Sequence, residues 1–438
     1  MSAPDSKACK SRVWIVAVVW SLRLIVGSLF AMSGFVKMID PWGFLFKLEE
    51  YLAVWHLTQP RTVVLIAVLC ISGYEFVMGS LLALGCYKRV APWGLTLMMA
   101  VMLPLTLYIW IANPVSDCGC FGDFWVISNA ATFWKNVFIT AALILLICWN
   151  SRIGQSVFQP AIQWMVGAWI TLYIIFIGLY GYNVQPLLDF RSFPIGKSLL
   201  PPDEVEEDVS GEYIFTYEKD GESSDFTIDN LPDSTWEFVS RRLDRAASSS
   251  QAVHESYFSI FDSYDDDVTA DVIPSEGPMI LLVIPEPLRA DVSYTFTINE
   301  MWEYADSVGI PMAALIGGSR KTADRWTDLA MAEYPVYTVE DTELKELSRG
   351  SMSVVTLTDG KVVSKNSLMT IDPDVIEFPP SQEAFMIELE GKADGVLMRL
   401  TLIFVGALVL LALTQSAIIE ARKRMIKRRE KKRKNKEA

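Results

Sequence analysis

No cysteine follows Cys148 in this chain of 438 residues, so its long C-terminal part has neither a disulfide nor thiol chemistry of its own. Only two histidines occur, His56 and His254, and neither lies near a cysteine in the sequence. A zinc tetrahedron built on two thiolates would therefore stay unfilled, and no metal site is assigned. No Walker loop, dinucleotide fingerprint or nucleophile elbow is present, which excludes the phosphate-cradling and α/β-hydrolase mechanisms those motifs carry. The first apolar run has no small-residue cleavage site after it and reads as an uncleaved span rather than a signal peptide. There is no internal repeat, and Ser248–Ser250 is the sole hint of low complexity.

What is present is apolar. Hydrophobic residues make up 51% of the chain, yet the net charge is −14, a combination that suits a membrane protein with an acidic soluble part. Six runs are long enough for a hydrocarbon core, which takes roughly 20 residues: Val13–Val36, Thr62–Leu84, Ala91–Ile111, Ala130–Trp149, Ile162–Tyr182 and Val396–Ile419. Lys7, Lys10 and Arg12, then Lys88 and Arg89, then Arg152, then the tail "ARKRMIKRREKKRKNKEA" all fall on one side if the spans alternate. That side should be the cytoplasm, with both termini in it. The basic tail, residues 420–438, reads as a topogenic, lipid-facing anchor and not as a nucleic-acid site. The other side receives the 38–61 loop, the 112–129 loop and the acidic stretch from about 183 to 395.

Along the chain, Asp40 offers an N-cap and Pro41 a first helical position, predicting a short interfacial helix rich in aromatics. Residues 183–254 read as a linker followed by a β-rich segment, with a hairpin around Lys219-Asp220-Gly221. From 255 to 375 strands alternate with helices ("MILLVIPE", "FTINEMWEYADSVG", "PMAALIGG", "RKTADRWTDLAMAE", "YPVYTV"), then a hairpin turns at Asp359-Gly360. The fold class is thus an α-helical membrane bundle with a small α/β domain over a mixed sheet.

Two ionisable residues lie deep inside spans. At 1.5 Å per residue, Arg23 sits roughly 15 Å and Glu75 roughly 14 Å from the same membrane face, which predicts a buried Arg23–Glu75 ion pair on adjacent antiparallel helices. Such a pair serves either function or helix–helix adhesion. Lys37 and Asp40 at the end of span one, and Lys135 near the start of span four, frame the loop "SDCGCFGDFWVISN". There Cys118 and Cys120 flank one glycine, and of the six cysteines these two alone are expected to be exposed outside. Closed as a disulfide, so small a ring departs from relaxed geometry, and strained exposed disulfides are the exchange-active ones. Gly119 supplies the backbone freedom the ring needs. Asp117 and Asp123 would raise a thiol pKa, whereas Lys37 or Lys135 would lower it. The plainer alternative is a pair that merely shapes the loop.

Three stretches, "RLIVGSLFAMSGFVKMIDP", "YEFVMGSLLALG" and "DCGCFGDFWVISNAATFWKN", resemble the DoxX and MauE group of membrane proteins over residues 13–150. With "LLDFRSFPIGKSL" and "DSTWEFVSRR", the whole chain looks like the long DoxX-family proteins of Bacteroidota, which add a thioredoxin-like domain. The resemblance implies a four-helix bundle in a bacterial inner membrane, a periplasmic acidic domain, and thiol chemistry on a periplasmic protein client or redox partner. Quinone-coupled thiol oxidases have similar bundles, which makes quinone the implied acceptor. Carried over, Cys118 and Cys120 are the catalytic pair, and Asp117, Gly119, Phe121, Gly122 and Asp123 shape their loop. Arg23, Ser33, Gly34, Lys37, Asp40 and Glu75 are the matching bundle positions. Two departures stand out: the exterior side has no second cysteine pair, and the thioredoxin-like part has "IPEPLRADVSYTF" where a C-x-x-C would open the first helix, with Met352 in the place of the usual cis-proline. Three functions follow: a thiol–disulfide oxidoreductase or maturation factor, a non-catalytic anchored scaffold, and a transporter or channel subunit using Arg23 and Glu75.

Overall fold

The computed structural model describes residues 6–115, 118–150, 156–200, 212–219, 222–227, 230–232, 235–244, 258–371, 381–390 and 395–437. Asp117, the side chain of Asp123, the Asp220-Gly221 turn and His254 lie outside the described residues. The chain divides into two units, Met1–Gly181 with Ala393–Ala438, and Tyr182–Lys392.

The first unit contains α1 (Ser6–Ile39), α2 (Pro41–Val54), α3 (Arg61–Ala83), α4 (Val90–Ala112), α5 (Asn129–Asn150), α6 (Gln163–Asn183) and a terminal helix (Val396–Glu437). Six of these, all but α2, are long and apolar enough to cross a membrane, matching the six expected spans. Lipid offers no hydrophobic drive for helix pairing, so close backbone packing at small residues has to supply it. Glycines do so on α1 and α3. A Cβ on Gly34 would lie 2.4 Å from the Phe76 amide nitrogen and 2.5 Å from the Ser72 carbonyl, and one on Gly27 would lie 2.7 Å from the Gly79 carbonyl. A Cβ on Gly79 would in turn meet the Ala31 nitrogen at 2.5 Å. These contacts fix one antiparallel register, which decides which polar side chains meet.

Helix α2 begins as the sequence predicts. The Asp40 carboxylate accepts from the Gly43 amide at 3.0 Å, with Pro41 at the first turn. Trp42, Leu45 and Tyr51 are buried against protein. Arg61 grips Glu49 with two hydrogen bonds, of 3.0 and 2.9 Å, and lies over the Trp42 and Phe46 rings. The terminal helix docks on α6: Tyr173 stacks on Phe404 at 4.1 Å and its hydroxyl lies 2.9 Å from that of Thr401.

The second unit holds two sheets. Strands β1 (Glu212–Lys219), β2 (Glu222–Thr227) and β3 (Glu237–Asp244) form an antiparallel sheet in the order β2-β1-β3. The expected hairpin is β1–β2, with Lys219 opposite Glu222; the third strand is an addition. The larger sheet comprises β4 (Pro278–Ile284), β5 (Met312–Gly317), β6 (Val336–Val339), β7 (Ser353–Thr358) and β8 (Lys361–Ser367) in the order β6-β5-β4-β7-β8. The first three are mutually parallel and β7 is antiparallel to both neighbours. A short α7 (Thr269–Val272) precedes it, and α8 (Thr295–Val308), α9 (Arg320–Ala330), α10 (Asp341–Leu347) and α11 (Gln382–Glu390) complete the unit.

Both faces of β4 are buried: Ile280, Leu282 and Ile284 pack with Met301 and Trp326, while Leu281 and Val283 pack with Leu315 and Phe193. This explains why "MILLVI" runs apolar without alternation. The β7–β8 hairpin turns at Asp359 and Gly360, whose φ of 52° and 68° suit the two-residue turn read from the sequence. Asp189 binds both Arg191 at 2.6 Å and Lys365 at 2.7 Å, and Lys365 also donates to the Phe193 carbonyl, pinning the segment after α6 to β8.

Candidate functional site

The register set by Gly34 places Glu75 beside Ser33 and Lys37, which are four residues apart and so share one face of α1. Lys37 Nζ lies 2.9 Å from both oxygens of the Glu75 carboxylate, and both side chains are buried. Ser33 Oγ lies 2.8 Å from Glu75 Oε2 and 2.7 Å from the Cys120 carbonyl oxygen. Its single hydrogen is donated to one or the other, so the hydroxyl sits between the buried carboxylate and the cysteine loop and bonds one of them at a time.

This overturns the expected Arg23–Glu75 pair. Equal distance from the membrane face assumed helices with flush ends, but α1 and α3 are offset along their axes. Continuing the register past Gly27 and Gly79 takes Arg23 to the turn after α3, where its Nη1 would lie 2.8 Å from a Cβ on Gly85 and its guanidinium sits 4.9 Å over the Trp20 ring. Arg23 is fully buried there next to Cys86, whose thiol pKa burial pushes up.

The cysteine loop leaves α4 through Asn113, which takes a left-handed conformation at the helix end. The Asn129 side-chain amide then donates to the Asn113 side chain at 2.9 Å and to the Val115 carbonyl at 3.2 Å, tying the loop's two ends. Gly119 has φ of +65°, and a Cβ there would lie 2.9 Å from Cγ of Lys47 on α2. Gly122, at φ +52°, donates its amide to the Gly119 carbonyl. Phe121 is buried with its ring tilted against that of Trp125 at 5.7 Å, and Lys135 Nζ lies 4.6 Å from its ring centre.

The pair expected to be exposed is largely covered. Cys118 is 7% exposed, packed among Tyr51, Ile109 and Val115, and Cys120 is half-buried beside it. The reason is α2: its capped first turn brings Lys47 and Tyr51 over the loop, while Ser33 holds the loop's backbone from below. The two sulfurs are free thiols 3.0 Å apart, within reach of an S–H···S hydrogen bond.

That bond is the largest cause that lowers the Cys120 pKa, to about 6; the ammonium groups of Lys135 and Lys37 reinforce it against burial. The Cys118 thiol is pushed up by its bond to Cys120, by burial and by repulsion from the Cys120 thiolate. A C-x-C pair therefore resolves into one thiolate and one thiol. Cys120 also opens on a cleft between α1, α3, α4 and α5 of about 40 Å³, with Ser33, Lys37, Glu75 and Lys135 at its polar end and Leu29, Phe30 and Ile139 along an apolar wall.

Of the other site residues inferred from the sequence, Asp40 is a helix cap, and Gly119, Phe121 and Gly122 lie in the cysteine loop, the two glycines at positive φ. The sequence reasoning missed Met98, Met99, Met102 and Asn136, which line the cleft. The four-residue spacing of Met98 and Met102 was the available signal, since it puts both on one helix face. Among the described residues, no group of three or more His, Cys, Asp or Glu side chains is placed to hold a metal.

The sequence model of the family described as methylamine utilisation protein MauE matches residues 14–149. Residues 14–149 are MauE-like. The match covers α1 to α5, so the Lys37–Glu75 pair, the cysteine loop and the cleft all fall inside the MauE-like region. A second model, a domain of unknown function (DUF8463), matches residues 211–244, the stretch that forms the β2-β1-β3 sheet. No curated protein and no solved structure matches the chain.

Proposed function

We propose that this multi-pass membrane protein carries out thiol–disulfide exchange at Cys118 and Cys120, on the extracytoplasmic side of a bacterial inner membrane, in support of a client protein's maturation. The observation that carries the reading is the asymmetric pair: two sulfurs 3.0 Å apart, one held as thiolate between Lys37 and Lys135 and the other held as thiol. Thiolate is the attacking form, and a partner thiol at contact distance is placed to resolve a mixed disulfide.

In the exchange the Cys120 thiolate attacks a client disulfide, forming a mixed disulfide and expelling a client thiolate. Cys118 gives its proton to the expelled client thiolate and attacks the Cys120 sulfur. The second client thiolate leaves and the C-x-C ring closes, with two electrons passed to the client. The small ring is strained, so the exchange is poised toward the reverse direction, in which the oxidised pair takes two electrons from a client dithiol. Ser33 acts through the Cys120 carbonyl to position the loop. The quinone implied by the resemblance does not fit the cleft as it stands, because a space of about 40 Å³ has no room for a quinone ring and Lys37 is already bound to Glu75, so no step is routed through it.

Trapping tests the reading. Cys118→Ser cells, quenched with acid and alkylated, should accumulate mixed disulfides through Cys120, whereas Cys120→Ser cells should not. An absence of adducts in both variants, with wild-type thiols permanently reduced, would sink it.

A second reading concerns residues 255–375, taken as a thioredoxin-like domain that binds rather than reacts. The order β5-β4-β7-β8 with β7 antiparallel, helices between the parallel strands and α11 after β8 supports that fold reading. Leu288, Val292 and Phe296 are exposed around the start of α8, where such a domain would bear its thiols. Client capture should weaken on Phe296→Ser with exchange at Cys120 unaffected.

A further inference from the structure

The corner that holds the two thiols also holds a third sulfur donor. Met102 packs into the cluster that contains Cys118 and Cys120, and it lines the same cleft as Cys120. Met98, four residues earlier on the same helix face, and Met99 line that cleft as well. Among the described residues no histidine lines it, and Glu75, the carboxylate that does, is engaged by Lys37. Three methionine thioethers and the Cys120 sulfur face the cleft, with the Cys118 sulfur in contact with that of Cys120, so soft sulfur donors dominate the corner; its oxygen donors other than the Lys37-bound Glu75 are the neutral Ser33 hydroxyl and Asn136 amide.

Soft thiolate and thioether donors select Cu(I) among the biological first-row ions, whereas structural zinc asks for four nitrogen or sulfur ligands in a tetrahedron. Charge points the same way. Among the described side chains, Lys37, Glu75 and Lys135 leave one positive charge beside the pair. Two thiolates around a monovalent ion carry one negative charge, which that surplus neutralises. Two thiolates around a divalent ion are already neutral and would leave the surplus cation uncompensated in a buried site, which is costly.

We propose that Cys118, Cys120 and Met102 form a binding site for a soft monovalent metal ion, Cu(I). Binding forms two thiolate–copper bonds and a weaker thioether contact, releases the remaining thiol protons to solvent and transfers no electron, so affinity rises with pH. The sulfurs must separate beyond 3.0 Å to admit the ion, and Gly119 is the residue whose backbone can give. The metal-bound and disulfide forms are mutually exclusive states of one pair, and the site does not depend on the existence of a protein client.

The test is anaerobic titration of the reduced full-length protein, in detergent, with Cu(I) against a competing chromophoric chelator. Expected is tight binding of a single Cu(I) per chain, an X-ray absorption signature of a sulfur-only shell, and protection of the Cys120 thiolate from maleimide. Met102→Leu, close in volume, should weaken affinity about tenfold. Retention of the ion by a Cys118→Ala/Cys120→Ala variant, or maleimide reaction of the wild-type pair undiminished by Cu(I), would overturn the site. Zn(II) held more tightly than Cu(I) would overturn the ion assignment, and affinity unchanged in Met102→Leu would remove the thioether.

Discussion

Each end of the membrane unit buries a basic side chain beside a cysteine, and the two ends differ in what else is there. At one end Arg23 lies over Trp20 next to Cys86, a single thiol made less acidic by burial and closed in by the turn after α3. At the other, Lys37 is matched by Glu75 and joined by Lys135, and the cysteines are two, in contact, with Cys120 open to a cleft. A cation near a thiol is thus not enough to make a reactive site. What separates the ends is a second sulfur to share a proton and a space for a reactant. A substitution that abolishes either difference should make the reactive end behave like the inert one.

The largest effect is expected from breaking the buried pair. Lys37→Met strands the Glu75 carboxylate in an apolar surround and should destabilise the membrane unit by about 3–5 kcal/mol. A Lys37→Met/Glu75→Leu double variant should recover most of that loss, as measured by thermal unfolding in detergent. If stability returns while Cys120 reactivity does not, the pair serves the thiol as well as the fold. If both return together, Lys37 and Glu75 are adhesion between α1 and α3 and nothing more.

Next comes the thiol chemistry itself. Alkylation of Cys120 should rise through about pH 6, because the thiolate is the reacting form and its pKa is lowered to about 6. Cys86, whose thiol pKa is raised, should still be largely unreactive at neutral pH. Lys135→Gln removes a positive charge near the thiolate and should move the Cys120 midpoint upward by about one pH unit. A Cys118→Ala variant should move it upward too, since the S–H···S bond is the largest cause of the lowering. Mass spectrometry after timed maleimide pulses across a pH series reads all three. Equal profiles for Cys86 and Cys120 would erase the contrast between the two ends.

The failures of the sequence reading lie in the same place as the chemistry. The six spans, the Asp40-Pro41 helix start and the Asp359-Gly360 hairpin were legible because each is a local signal: an apolar length, a cap, a turn needing positive φ. The partner of Glu75 was not, because position along a helix says nothing of its neighbour's axial offset. That offset is written in Gly27, Gly34 and Gly79, which read alone as three unremarkable small residues in apolar runs. The cover over Cys118 was equally invisible, since it depends on α2 folding back so that Tyr51 and Lys47 reach a loop more than sixty residues later in the chain.

Gly119→Ala tests that cover with a smaller effect. Lys47 is flexible and can move aside, so the cost is chiefly that of a left-handed backbone for an L-residue, about 1–2 kcal/mol. The expected readout is faster labelling of Cys118 at fixed pH, as the strained loop lifts from α2. An unchanged rate would mean that Asn129 and Ser33 hold the loop without help from the turn.

The smallest effect separates a charge from a cap. Asp40 falls among the polar residues around the cysteine loop, yet in the structure its carboxylate accepts from the Gly43 amide at the start of α2. Asp40→Ala should cost about 1 kcal/mol and slightly quicken Cys118 labelling, because α2 carries the residues that cover it. Asp40→Asn keeps an oxygen acceptor of the same length and removes the charge, and asparagine caps as well as aspartate. Wild-type stability and labelling in Asp40→Asn would place the residue's whole role in starting α2. A loss as large as in Asp40→Ala would show that the negative charge itself matters at the C-x-C end, and the balance of one surplus cation beside the thiols would have to include it.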